Sequence, residues 1–377
     1  MSLYMDLSEF LSNPIATGIQ RIAGEMCKYF PPNSVAPVRI ANGGFMALPS
    51  PLIEVIGNHF RNITRSGVEE IRRLCSAEKC APITITHQDT ILVPEVFNDS
   101  RRISLFRNLP EEHFARCRFI VYDLLPLTHP QYFPPGTSVG SYDYYRLLRE
   151  ANCCGFISED TRIDYYARLK RTDLRGGVVL PLGGDSLGPR AKEVALHRPL
   201  TFSVLGTIEP RKNHELILDA FLPLLKRIKG LQLSFIGKMG WVDPEFARKV
   251  RALAEDESSG FRFHSVSGDD DIRTCIERSR ATIYVSAAEG YGLPPVESLW
   301  LGTPVIASNT IPSLKALRPG GVHIVEPLDA ENLRRAVLAF LDDGYANQKT
   351  EETLAVELPS WRLFTEEVLQ WCGQSAA

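Results

Sequence analysis

ATIYVSAAEGYGLPPVES, residues 281–298, changes its period part-way through. The first seven residues, apolar, β-branched and small, fit a buried strand. Gly290 and Gly292 then interrupt the run, and Pro294 and Pro295 open a helix, the position where a missing N–H is least harmful. A strand that runs through a glycine loop into a helix is the repeating unit of a doubly wound parallel sheet.

The same alternation extends outward in both directions. LTFSVLGTI (200–208), LQLSFIG (231–237), FRFHSVS (261–267), PVIAS (304–308) and VHIVE (322–326) read as strands. Between them lie amphipathic stretches, one of which Asn213 is expected to cap, with Leu216, Ile217, Ala220 and Phe221 on one face. Another helix is entered through Asp243 and Pro244, and a third is acid-capped near Asp270, so that Asp269 to Asp271 read as a helix start. The first half repeats the scheme less cleanly, with SLYMDL, a helix from Gly18 to Phe30, TILVPEVF (90–97), RFIVYDL (118–124), CCGFIS (153–158) and VVLPL (178–182). Residues 183–199 lose periodicity and gain Gly and Pro, the composition of a linker. The expected organisation is therefore two Rossmann-like α/β domains, 1–188 and 189–358, facing a central cleft. A helix over 359–377 is expected to pack back toward the first domain.

Composition agrees with this size of protein and excludes several classes. The chain has 377 residues, 44% hydrophobic and 23% charged, which are globular values rather than those of a disordered or fibrous chain. Lys and Arg number 42 against 45 Asp and Glu, a net charge of −3, so nucleic acid is not an expected partner. Eight cysteines are too few for a disulfide scaffold and match no zinc spacing, which fits reduced core thiols. No run of about 18 apolar residues and no leader pattern occurs, so a cytoplasmic location is expected, at most peripheral to the inner face of the membrane. The basic stretches Arg61 to Lys79 and Arg168 to Arg175 read as solvated helix faces, with anionic headgroups as the alternative partner.

Four strand ends carry polar chemistry. Glu289 and Glu297, in an E-x7-E spacing on the loop and the following helix, can accept hydrogen bonds from paired hydroxyls; a tight turn with a surface and a capping acid is the plainer reading. Gly206-Thr-Ile-Glu-Pro-Arg211-Lys212-Asn213 sets two cations beside a helix start, where they oppose the dipole, a cost that an anionic ligand such as a diphosphate would offset. A solvated pair balanced by Glu209 and Glu215 is the alternative. Thr17-Gly18-Ile-Gln-Arg21 opens the first long helix with a glycine that suits a phosphate contact, or merely a loop. Val121-Tyr122-Asp123 runs on to Thr128-His129-Pro130, placing Asp123 as a candidate hydroxyl ligand, while His129 is equally well explained as a turn residue. Ser158 to Thr161 needs no explanation beyond helix capping. No Walker A, H-E-x-x-H or G-x-S-x-G pattern is present, and a dinucleotide oxidoreductase lacks its G-x-G-x-x-G.

Taken together, TGIQR, VYDLLPLTHP, GTIEPRKN, EGYGLPPVE and GTPVIAS resemble the retaining nucleotide-sugar glycosyltransferases of family four, which have the two-domain GT-B fold. The resemblance implies that Glu289 holds donor-sugar hydroxyls, Glu297 the ribose, and Arg211 with Lys212 the diphosphate leaving group. It implies donor contacts from Gly206, Val266 and the amides of Gly290, Tyr291, Gly292 and Leu293, and from Gly18 in the first domain. Relatives commonly use a first-domain histidine where this chain reads Tyr122-Asp123, so Asp123, the candidate for the catalytic set, or another group must serve in its place. Many also carry an extra arginine where Thr207 stands here. Relatives that share the TGIQR start and the Tyr-Asp-Leu-Leu-Pro type of segment look like bacterial mannosyl- or rhamnosyltransferases of surface polysaccharide and O-antigen synthesis. GDP-mannose is thus the first expected donor, a glycan or lipid-linked oligosaccharide the acceptor, and no metal or other cofactor is expected. The alternatives are a rhamnosyl- or glucosyltransferase, a sugar-nucleotide epimerase, or a non-catalytic nucleotide-sugar-binding scaffold.

Overall fold

The structure, a computed structural model, describes residues 2–12, 18–59, 65–76, 80–169, 177–265 and 268–373. Thr17 and Val266 lie outside the described residues, as do parts of the two basic stretches at 61–64, 77–79 and 170–175.

The chain packs as two units. The first comprises Met1–Thr128, Pro135–Leu182 and Ser360–Ala377, and the second His129–Pro134 and Gly183–Pro359. In the first unit the strands are β1 (Leu3–Asp6), β2 (Ala36–Ala41), β3 (Gly44–Ala47), β4 (Ala81–Ile83), β5 (Thr90–Val93), β6 (Cys117–Val121), β7 (Cys153–Phe156) and β8 (Val178–Val179), ordered β4-β3-β2-β1-β5-β6-β7-β8. Strands β1, β2 and β5 to β8 pair in parallel, whereas β3 pairs antiparallel with both β2 and β4 at one edge. The sequence reading missed this edge. Its signal was Asn42-Gly43, both at positive φ (53° and 77°), a two-residue hairpin turn that twists with its strands. Strand β5 ends at Val93 instead of continuing to Phe97, because Pro94 has no N–H to give to a ladder.

The second unit holds β9 (Thr201–Leu205), β10 (Gln232–Ile236), β11 (Phe261–His264), β12 (Ala281–Tyr284), β13 (Val305–Ser308) and β14 (Val322–Val325), all parallel in the order β11-β10-β9-β12-β13-β14. Strands from β9 build outward on one side and strands from β12 on the other. The reversal between β9 and β12 is the switch point where such sheets hold ligands. Phe202, Phe221, Phe235 and Phe261 fill the core over this sheet and are fully buried, at about 1.5–3 kcal/mol each by transfer. Among the described residues no helix is long and apolar enough to cross a membrane, and none of the eight cysteines is in a disulfide.

The domain limits shift from the sequence reading for identifiable reasons. Residues 183–199 are not a free linker. Gly184 donates to Pro359 O at 2.9 Å, Trp300 Nε1 donates to Gly188 O at 3.1 Å, and Arg190 reaches the carbonyls of Thr353, Leu354 and Val356, so the second unit starts at Gly183 rather than 189. His129–Pro134 leaves its sequence neighbours for the second unit, where Trp241 Nε1 donates to Tyr132 O at 2.8 Å and Phe133 stacks on the indole. The Trp361–Gly373 helix belongs to the first unit, with Arg362 over the ring of Tyr29 in the Gly18–Tyr29 helix.

Candidate functional site

Strands β9 and β12 are neighbours, so the segments that leave Leu205 and Tyr284 emerge side by side at the switch point. Gly206 comes first, at φ +119°. That backbone angle favours glycine, and a Cβ there would lie 2.6 Å from Lys212 Nζ, so the lysine would have to shift from where it crosses the strand end. Gly206 and Ile208 remain bonded to the β10 side through Ile236 O and Lys238 O. Pro210–Lys212 then forms a single 3-10 turn, and the helix begins only at His214–Leu225. Arg211 and Lys212 therefore sit before the helix, in a turn of their own.

Asn213 does not cap that helix with its side chain. It adopts the left-handed region (φ 55°), and its Nδ2 donates to Val285 O at 2.7 Å. Two more bonds stitch the segments together: Ala287 N–H to Arg211 O at 2.7 Å, and Arg211 Nη1 to Ala288 O at 3.0 Å. This stitching fixes the backbone under the charges.

The charged groups then converge. Arg211 Nη1 lies 2.5 Å from Glu289 Oε1, Arg211 Nε lies 2.7 Å from Glu209 Oε1, and Lys212 Nζ lies 3.9 Å from Glu289 Oε1. Lys212 Nζ also sits 5.1 Å from the centre of the Tyr284 ring, a cation–π contact. All four charged side chains are less than one-fifth exposed, which leaves the pairs little screened by water. Burial pushes the Glu289 carboxyl up, but Lys212 and Arg211 outweigh it and hold Glu289 below the usual carboxylate range. Burial likewise opposes the charge on Arg211, and Glu289 and Glu209 more than restore it. For Lys212 burial prevails, and its ammonium titrates below the ordinary lysine value. Burial also raises the Glu209 carboxyl, with Arg211 opposing. Two cations and two carboxylates thus share one site with no net charge.

The loop after β12 is held by its own carbonyls. Ser313 donates from N–H to Tyr291 O and from Oγ to Gly292 O, each at 2.9 Å. Gly292 (φ +89°) precedes the Leu293–Trp300 helix, whose first turn contains Pro294 and Pro295. Those prolines carry no N–H, so the helix start offers fewer donors than an ordinary one, and the donors in this stretch are the amides of Gly290 to Leu293. Glu297 is 4% exposed on that helix, buried with Val296, Ser298 and Leu299.

Sequence-expected residues of the first unit have their own surroundings. Gly18 is exposed at the start of its helix, and a Cβ there would meet nothing within 4 Å. Asp123 Oδ1 accepts from Leu125 N–H at 3.0 Å, capping the short Leu125–Thr128 helix. His129, now in the second unit, stacks on Tyr132. The sequence reading had Glu209 only as a counter-charge of a solvated pair, and it did not name Tyr284 beside Lys212. Glu209 was visible beside Pro210 and Arg211, but only the fold shows that it pairs rather than faces solvent. Among the described residues no group of three or more His, Cys, Asp or Glu is arranged to hold a metal ion.

Residues 190–354 match the family of glycosyl transferases group 1. The serotype-specific mannosyltransferase WbdA of Escherichia coli is 30% identical over 217 residues, 53% of this chain and 26% of WbdA. The O-antigen chain mannosyltransferase B of the same species is 28% identical over 169 residues, 44% of this chain and 43% of its own. The chain thus covers less than half of either relative's length. Among solved structures, Anabaena HepE in complex with UDP and glucose aligns with a TM-score of 0.66 at 11% identity, over 98% of both chains. The fold is therefore GT-B, as the two parallel-sheet units require.

Proposed function

We propose that this chain, a member of the group 1 glycosyl transferases through its residues 190–354, is a retaining hexosyltransferase that moves mannose from GDP-mannose to a glycan or lipid-linked oligosaccharide in polysaccharide synthesis. The observation that carries the reading is the pair Arg211 and Lys212, held with Glu289 at the β9/β12 switch point. Breaking the anomeric C–O bond builds negative charge on the departing diphosphate, and preorganised cations in a poorly hydrated site stabilise that charge best. Arg211 offers a planar fork and Lys212 a point charge.

The remaining assignments follow from the chemistry of each group. Glu289 accepts from donor-sugar hydroxyls once the diphosphate takes its place on the cations. Glu297 accepts from the ribose, and the amides of Gly290, Tyr291, Gly292 and Leu293 donate to sugar and phosphate oxygens. Gly206 keeps the backbone clear for Lys212. In front-face attack the acceptor hydroxyl gives its proton to the leaving phosphate oxygen as its own oxygen bonds to the anomeric carbon, so configuration is retained. Since the cations supply the positive potential, the reading calls for no metal. Transfer that persists in EDTA is expected, and loss restored by Mg²⁺ would count against it.

The mannosyltransferase names of WbdA and the O-antigen enzyme favour mannose, while the UDP and glucose bound in HepE make UDP-glucose the competing donor. A thermal-shift panel of GDP-, UDP- and dTDP-sugars tests this. A ligand present at about 100 times its Kd stabilises the fold by about 2.7 kcal/mol, and the reading expects that response from GDP-mannose. A response to UDP-sugars alone would replace the donor, and no response to any would remove the function. NMR of the product's anomeric configuration tests retention.

A further inference from the structure

Arg211 is held by two carboxylates that reach it from different parts of the chain. Glu289 comes from the segment after β12 and meets Nη1, which also donates to Ala288 O. Glu209 comes from the same short turn as the arginine and meets Nε at 2.7 Å. Its side chain is only 5% exposed, and its carbonyl accepts Lys212 N–H at 3.1 Å, so carboxylate and guanidinium are tethered on one closed turn. Nη2 has no hydrogen bond among the described residues.

The two acids therefore have unequal freedom. Glu289 is shared between Arg211 and Lys212, the same nitrogens a diphosphate would seek, so an incoming donor competes with it directly. Glu209 occupies Nε, and because a guanidinium is a rigid plane, fixing Nε fixes the whole fork. We propose that Glu209 is a positioning residue, which holds Arg211 by Nε so that the fork keeps its aim when Glu289 turns from the cations to the donor sugar. The proposal rests on the transferase reading above.

A double-mutant cycle in the full chain tests it, with GDP-mannose as donor, or whichever nucleotide sugar the panel selects. Glu209→Ala is expected to lower kcat by about 10–100-fold while the donor Kd, measured by calorimetry, moves by less than about threefold. Glu209→Gln keeps an acceptor for Nε–H and is expected to recover part of that loss. Arg211→Lys has no Nε, so adding Glu209→Ala in that background is expected to change kcat by less than about twofold. The charged groups facing Glu209 are Arg211, Lys212 and Glu289, and burial raises its carboxyl. Wild-type kcat should accordingly fall on the acid side, and Glu209→Gln should lack that limb.

Additive losses in the double mutant would overturn the proposal, as would an unchanged kcat in Glu209→Ala. So would a parallel fall of kcat, donor affinity and melting temperature, the pattern of a merely structural acid. A wild-type chain that binds no nucleoside diphosphate would overturn the transferase reading itself, and this one with it; donor binding that survives alongside additive losses would overturn only the role of Glu209.

Discussion

Lys212 is largely enclosed, its ammonium over the ring of Tyr284 and within 3.9 Å of Glu289, and burial has already stripped much of its water. A desolvated ammonium interacts strongly with a developing phosphate charge. Lys212→Ala is therefore expected to lower kcat by about 10²–10³-fold, the usual effect of removing one charge-stabilising donor, and steady-state kinetics at saturating donor would check it. An unchanged kcat would remove its leaving-group role. Glu297, by contrast, is buried on the helix after Gly292. If it holds the ribose, Glu297→Ala should mainly raise the donor Kd in a calorimetric titration; a pure kcat defect at unchanged affinity would contradict that. The identities of Arg211, Lys212, Glu289 and Glu297 were legible in the sequence because residue types and spacing carry them. Their pairing was not, since it depends on two segments more than seventy positions apart meeting at neighbouring strand ends.

Elements decide where those side chains can point. Gly292 is the hinge between the β12 segment and its helix, at φ +89°, and a Cβ there would collide with Ile311 Cγ2. Gly292→Ala is expected to destabilise the chain by about 1–3 kcal/mol, with a matching drop in chemical-denaturation midpoint, because a left-handed backbone and a clash coincide. A neutral effect would mean that the loop readily takes another path. Strand–loop–helix periodicity located this element from sequence alone. It failed at β2 to β4, where strands of six, four and three residues are too short to carry a period and the pairing runs antiparallel. It also gave Asn213 a capping role, whereas the pairing of β9 with β12 puts Val285 O within reach and turns that side chain across to it.

At the scale of the whole molecule, two buried titrating groups, one in each unit, give opposite slopes to stability against pH. His214 packs on Phe235, and burial, aided by Lys212, pulls its imidazole down to about 3 from 6.5. The unfolded chain then binds the extra proton between those values, so this contribution is present above about pH 6.5 and lost as pH falls toward 3. Glu95 is the reverse. Burial and Asp6 and Glu9 push its carboxyl up to about 8 from 4.5, against the Phe10 N–H it accepts and Arg102. Here the folded chain holds the proton, so stability is present below about pH 4.5 and lost as pH rises to 8. Each slope is about 1.4 kcal/mol per pH unit at most. Urea midpoints across pH are expected to show Glu95→Gln flattening the limb between about 6.5 and 8, and His214→Gln the limb below about 4.5. Variants with the wild-type slope would remove these assignments.

Sequence by itself determined the class of this protein: two α/β halves, parallel strands with polar loops at their ends, and residue types of the kind that suit a sugar diphosphate. These follow from period and composition, which are local properties. Tertiary structure decided which strand ends are neighbours, that residues 183–199 pack onto the second unit, and that Glu209 and Glu289 converge on one arginine. Those are consequences of sheet order, because a charge acquires its partner only when the strands before it in the chain have found their places.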